Sequence, residues 1–144
     1  MAISFQRKKQ TMSKLKAVIK KIQSVDSLNI VTFDFFGTDL TMMSLELNEN
    51  IVVGRRVILG IKPTAVVIAK AFKGEISTSN HIQASISSIE IGELLCAIEL
   101  TTNNAYFESI ITAQSAKRLH LQIGDSVTAL IKASEISISE VIND

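Results

Sequence analysis

The chain has 144 residues, 47% apolar and 20% charged, with 15 basic and 14 acidic side chains. This is a folded composition, long enough for one ordinary domain or two small ones, and it excludes a disordered chain. A single cysteine, Cys96, excludes an intramolecular disulfide and fits a reducing compartment, and no apolar run reaches the roughly 18 residues that span a bilayer.

The near-neutral total conceals a split. Residues 1–73 carry 12 basic and 5 acidic side chains, whereas residues 74–144 carry 3 and 9. Opposite fields of this kind can align the halves of neighbouring chains or concentrate an anion near the basic half. The plainer reading is that Arg7, Lys8, Lys9, Lys14, Lys16, Lys20 and Lys21 solubilise an exposed arm and edge strand. The segment Met1 to Lys9 has its charge after its apolar stretch, the reverse of a secretory signal, so a cytoplasmic location is expected.

Twenty-one Ile and ten Val favour pleated strands over helices. Leu15, Ala17 and Ile19 alternate with polar neighbours as the first strand. Asp26 to Asn29 is a turn, Ile30 to Phe35 the second strand, Gly37-Thr38-Asp39 a hairpin and Leu40 to Met43 a short third strand. Ser44 to Asn50 shows little helical pattern. After Gly54 comes a strand from Val57 to Ile61, the small-residue turn Lys62-Pro63-Thr64, and a strand through Val66 and Ile68. Residues 69–74 form a short junction, which argues for modules packed together or for strands exchanged between them.

From Asn80 the series repeats. Ile82, Ala84 and Ile86 alternate, a turn near Glu90 to Glu93 leads to Leu94 to Leu100, and Thr101 to Asn104 reads as a hairpin before Tyr106 to Ile111. Thr112 can cap a two-turn helix with Ser115 in its first turn. Gly124-Asp125 then precedes the strand Val127, Ala129, Ile131, the turn Lys132-Ala133-Ser134, and a last strand through Ile136 and Ile138. An offset of 70 maps Gly54, Val57, Ile61, Lys62, Thr64 and Val66 onto Gly124, Val127, Ile131, Lys132, Ser134 and Ile136. The first strands correspond at an offset of 67, so three residues are gained before the glycine turn. Such self-similarity indicates an internal repeat.

Residues 110–138, above all the run Ile131-Lys132-Ala133-Ser134, closely resemble the molybdenum-pterin-binding protein family, the molbindins; the resemblance is looser over 77–109 and weaker over 12–68. It implies an all-β fold of two OB-like five-stranded β-barrel modules in tandem, residues 12–70 and 74–141, with one short helix. It further implies that molybdate or tungstate is the bound ligand, with no organic cofactor, in a homotrimer whose sites lie between chains and modules. A molybdate transporter or a cofactor-synthesis enzyme is the implied exchange partner. Carried over residue by residue, the lysine turns are Lys132-Ala133-Ser134 and Lys62-Pro63-Thr64. The opening signature falls on Ser77-Thr78-Ser79-Asn80 and on Gln10-Thr11-Met12-Ser13. The family's arginine is replaced by Ser79 and Met12, which removes a positive charge expected at each pocket.

The oxyanion-binding candidates are therefore Lys132, Ala133, Ser134, Ser79, Asn80, Ser77, Lys62, Thr64 and Ser13. A tetrahedral dianion accepts hydrogen bonds and donates none, so it calls for amides, hydroxyls and nearby cations. Solvated edge lysines and turn-stabilising hydroxyls are the plainer reading of the same residues. His81, His120 and Cys96 fit no compact zinc motif, and no serine has a histidine and acid arranged to activate it, so no metal site and no catalysis are expected. Two alternatives remain open: an assembly or regulatory module that has lost ligand contacts, and an OB-like nucleic-acid binder. Against the latter, Phe33 and Phe35 share one strand face while Phe36 takes the other, and the second module is acidic.

Overall fold

The computed structural model describes residues 13–143. Ten strands and one helix follow in the order β1 (Ser13–Val25), β2 (Leu28–Phe35), β3 (Thr38–Ser44), β4 (Arg56–Ile61), β5 (Val67–Ala69), β6 (Asn80–Ile91), β7 (Leu95–Thr102), β8 (Ala105–Thr112), α1 (Ala113–Arg118), β9 (Ser126–Ile131) and β10 (Ile136–Val141). They form two five-stranded sheets, ordered β10-β4-β1-β2-β3 and β5-β9-β6-β7-β8, with every pairing antiparallel.

The sheets do not follow chain order. β5, from the first half, pairs with β9 of the second, and β10, the last strand, pairs with β4 of the first. Each half thus donates its final strand to the other. Exchange was one of the two arrangements that the short junction allowed. Lys70, just past β5, fastens the crossover: its ammonium donates to the carbonyls of Leu119 at 3.0 Å and His120 at 2.9 Å, and lies 3.4 Å from Asp125. Those carbonyls close the C-terminal end of α1, where a cation is favoured.

Two closed barrels, as expected from the sequence, are not formed. Among the described residues no ladder joins β10 to β3 or β5 to β8. The first sheet curls until its outer strands face each other, but β10 is displaced by a bulge between Ile138 and Glu140, and residues 45–51 intervene. A cleft of about 650 Å³ is left between the edges.

Local structure follows the alternation. Leu15, Ala17 and Ile19 are buried while Lys14, Lys16 and Lys20 are exposed, and Ile82, Ala84 and Ile86 are buried on the matching strand. Buried residues from both halves make one contiguous cluster that includes Phe33, Phe35, Leu59, Ile98 and Leu100. Each large apolar side chain so buried contributes about 1.5–3 kcal/mol.

The repeat extends to backbone irregularities. β1 bulges between Ile19 and Lys21, and β6 between Ile86 and Ser88. At each bulge a glycine with positive φ, Gly54 (+91°) or Gly124 (+96°), donates to the carbonyl of Ile19 or Ile86 at 2.8 Å. A side chain at such a φ would be strained, which explains glycine at both positions. The three-residue gain lies between β3 and β4 on one side and β8 and β9 on the other, where only the second half has a helix. There Thr112 caps α1, its hydroxyl accepting from the Ser115 amide at 3.1 Å.

The corresponding hairpin turns differ. Asn103 and Asn104 both take positive φ, a conformation that asparagine tolerates well. Phe36 takes φ +49° before Gly37, a left-handed conformation that costs a bulky residue about 1–2 kcal/mol.

Candidate functional site

Each lysine closes a strand and opens a single 3-10 turn. Lys62 (φ −71°, ψ 134°) precedes Pro63–Ala65, and Lys132 (φ −70°, ψ 148°) precedes Ala133–Glu135. The first internal bond is the same in both, from the amide of Ala65 to the Lys62 carbonyl and from Glu135 to Lys132, each 2.9 Å. Amides ahead of that bond have no partner inside the turn. They are Thr64 in the first copy and both Ala133 and Ser134 in the second, because Pro63 has no N–H. Lys62, Lys132, Thr64 and Ser134 are exposed, Ala133 is half-buried, and Pro63 is packed into the core side.

Both turns sit where the two sheets meet. The turn after Lys62 lies against β8 and the turn after Lys132 against β3. Ser13 is opposite Ile61 in the ladder, and Asn80 opposite Ile131, so each opening residue stands one position from its lysine. Both reach across the seam. The Ser13 hydroxyl accepts from the amide of Glu108 at 3.0 Å. Asn80 is fully buried; its Oδ1 accepts from the Thr41 amide at 2.7 Å, and its Nδ2 donates to the Thr41 carbonyl at 2.9 Å. The offset of 67 relates Ser13 to Asn80 and Thr41 to Glu108, so the two contacts are repeats of one contact.

The structure therefore brings Lys132, Ala133, Ser134 and Asn80 to one seam, and Lys62, Thr64 and Ser13 to the other. Ser79 and Ser77 are exposed in the segment leading into β6, Ser79 directly beside Asn80, and neither makes a side-chain hydrogen bond among the described residues. Gln10, Thr11 and Met12 lie outside the described residues. Sequence reasoning missed that the Asn80 amide is occupied at both ends by Thr41, and that Ser109 donates to the Val66 carbonyl at 2.7 Å beside the first turn. These partners are backbone atoms, whose identity leaves no mark on a sequence.

What each seam offers chemically is one exposed ammonium, one hydroxyl and one or two amides with no partner inside the turn, all donors. That set suits an anion with several acceptor oxygens. Among the described residues no group of three or more His, Cys, Asp or Glu could hold a metal ion. His81 instead bonds the Thr78 carbonyl at 2.6 Å, and Cys96 is buried, where desolvation raises its thiol pKa. Of Phe33, Phe35 and Phe36, only Phe36 is exposed. No helix among the described residues is long and apolar enough to cross a membrane.

Comparison with known proteins bears on the fold. Residues 76–138 match the TOBE domain family. A crystal structure of the cytoplasmic molybdate-binding protein ModG, with molybdate bound, superposes with a TM-score of 0.81 at 20% identity, covering 90% of this chain and 96% of that one. No curated protein matches the chain significantly. Residues 76–138 are therefore similar to TOBE domains, and the chain as a whole shares the fold of the molybdate-bound structure.

Proposed function

We propose that this protein binds molybdate or tungstate reversibly in the cytoplasm, for storage, buffering or handover, and that it catalyses no reaction. The observation that carries this reading is the lysine turn itself. It recurs with nearly the same backbone angles at both seams, on a fold shared with a protein crystallised with molybdate. Lys132 and Lys62 supply charge, Ser134 and Thr64 hydroxyls, and Ala133, Ser134 and Thr64 amides. Ser77 and Ser79, exposed in the segment before β6, are further candidate hydroxyl donors. Asn80 and Ser13 hold the seam that sets the spacing of these donors.

One ammonium per turn does not neutralise a dianion, and both turns face solvent in the single chain. Closure by neighbouring copies, most simply in a homotrimer of tandem OB-like modules over 12–70 and 74–141, supplies the missing donors and excludes water. Desolvation strengthens every remaining charge-assisted bond. Selection against sulfate then rests on the size of the donor ring. A transporter or a cofactor-synthesis enzyme is the natural exchange partner.

Calorimetric titration of the intact protein with molybdate, tungstate, sulfate and phosphate, beside sizing in solution, tests the proposal. Saturable heat with the first two anions and little with the others is expected. Absence of heat with molybdate and tungstate at tens of micromolar protein would leave the assembly-module reading, which Pro63 and the occupied Asn80 amide favour.

A further inference from the structure

Residues 70–79 carry the chain from β5 to β6, the two neighbours of β9, without a strand or helix of their own. Two side chains at the start of β6 hold this segment, one on each face of the strand. Asn80 is buried and bonded at both ends to Thr41 across the seam. His81, the next residue, folds back on the segment itself. Its Nε2 lies 2.6 Å from the Thr78 carbonyl, and its ring meets Phe72 edge-on with centroids 5.9 Å apart. His81, Phe72 and Thr78 are all half-buried. A carbonyl oxygen only accepts, so the proton of the neutral ring sits on Nε2.

The consequence lies in which peptide unit is held. The Thr78 carbonyl and the Ser79 amide belong to one planar trans peptide, whose C=O and N–H point in opposite directions. Anchoring the carbonyl on His81 therefore turns the Ser79 N–H away from His81. Among the described residues neither that N–H nor the Ser79 hydroxyl has a hydrogen-bond partner. Ser79 thus stands between two fixed points, Thr78 held by His81 and Asn80 held by Thr41, with both of its donors free. The register that pairs His81 with Leu130 and Asn80 with Ile131 places Ser79 level with Lys132, which opens the second turn.

The first half shows that the strand itself needs no such clasp. There the offset of 67 puts Lys14 in place of His81, and β1 keeps the same ladder with β4. Lys14 is exposed, and its side chain makes no hydrogen bond or ion pair among the described residues. We infer that His81 is a positioning residue of the oxyanion site at the second seam, presenting the Ser79 amide and hydroxyl to an anion held by Lys132, Ala133 and Ser134. This role rests on the molybdate reading, and it supplies two neutral donors at the position where the molbindin resemblance implies an arginine. Donors fixed before the ligand arrives cost little to order when it binds.

Calorimetric titration with molybdate tests this in the full-length parent chain, His81→Phe and His81→Gln, with a thermal melt of each to verify the fold. Phenylalanine keeps a ring against Phe72 and removes the donor, whereas glutamine restores an N–H without the ring. Binding in His81→Phe is expected to be about threefold to tenfold weaker than in the parent chain, the worth of one neutral hydrogen bond, and His81→Gln is expected to recover part of that loss. In a Lys132→Ala background His81→Phe should cause a smaller loss than it does alone, since both changes act on one site. Nitrogen NMR of the ring is expected to show the Nε2–H tautomer with no ligand present. A parent chain without saturable molybdate heat would overturn the molybdate reading and this role together. Where the parent chain binds, the role alone is overturned by His81→Phe binding as tightly as the parent, by equal losses in His81→Phe and His81→Gln, or by a loss undiminished in the Lys132→Ala background. The Nδ1–H tautomer would overturn it independently of any ligand.

Discussion

At one seam Ser13 accepts a single hydrogen bond from the backbone of Glu108; at the other Asn80, in the equivalent position, both accepts from and donates to Thr41. The same seams carry the lysine turns, and again the second is better furnished, with two amides unpaired within the turn where Pro63 leaves one. The second half also has the capped helix α1, and it is the half that matches the TOBE domain. The two halves share one architecture and differ in the chemistry they place at equivalent positions. The exchange of β5 and β10 explains why this is tolerated: neither sheet is complete without a strand from the other half, so the stability of the first is underwritten by the second.

The contrast can be broken by mutation. Asn80→Ala should have the largest effect, because it leaves the half-buried Thr41 amide and carbonyl without the Asn80 side chain, a loss of about 1–3 kcal/mol in urea unfolding. Ser13→Ala, removing one half-buried acceptor, should cost about 1 kcal/mol. Equal losses at the two seams would erase the asymmetry. Thr112→Ala removes the helix cap that the first half lacks and should cost about 1 kcal/mol in the same measurement. Phe36→Asn should act in the opposite direction, raising stability by up to about 1 kcal/mol, since asparagine tolerates the left-handed turn. A destabilised variant would show that the exposed ring packs on something that holds the fold.

The smallest effect concerns Cys96. Burial raises its folded-state thiol pKa above the unfolded one, so its contribution to stability is full at neutral pH and is lost as pH rises through the alkaline thiol range. At pH 8 a thiol reagent should label it only as fast as the protein unfolds. Immediate labelling would contradict its buried placement.

Much of this was legible in the sequence. Strand alternation, the Thr112 cap and the shift from 67 to 70 were readable because each is a local pattern with a direct physical cause. Strand exchange was not decidable. Val66 to Ile68 and Ile136 to Ile138 are nearly interchangeable apolar segments, so either could complete either sheet, and the choice lies in the path of the junction. Barrel closure was misjudged for a related reason: whether β10 meets β3 depends on a bulge and an intervening segment, neither of which has a side-chain signature. At the candidate site the lysine turns were visible as repeated types, whereas the commitment of Asn80 to Thr41 was hidden because its partner is backbone.

Calorimetric titration of molybdate into the parent chain, Lys62→Ala and Lys132→Ala tests the central claim most directly. Removing one charge-assisted contact should weaken binding by roughly 10- to 100-fold at the better-furnished turn. The predicted result is saturable heat in the parent chain, a loss of that size in Lys132→Ala and a smaller one in Lys62→Ala. Equal losses in the two variants would contradict the ranking of the seams, and molybdate affinity unchanged in both would contradict the placement of the anion at the lysine turns.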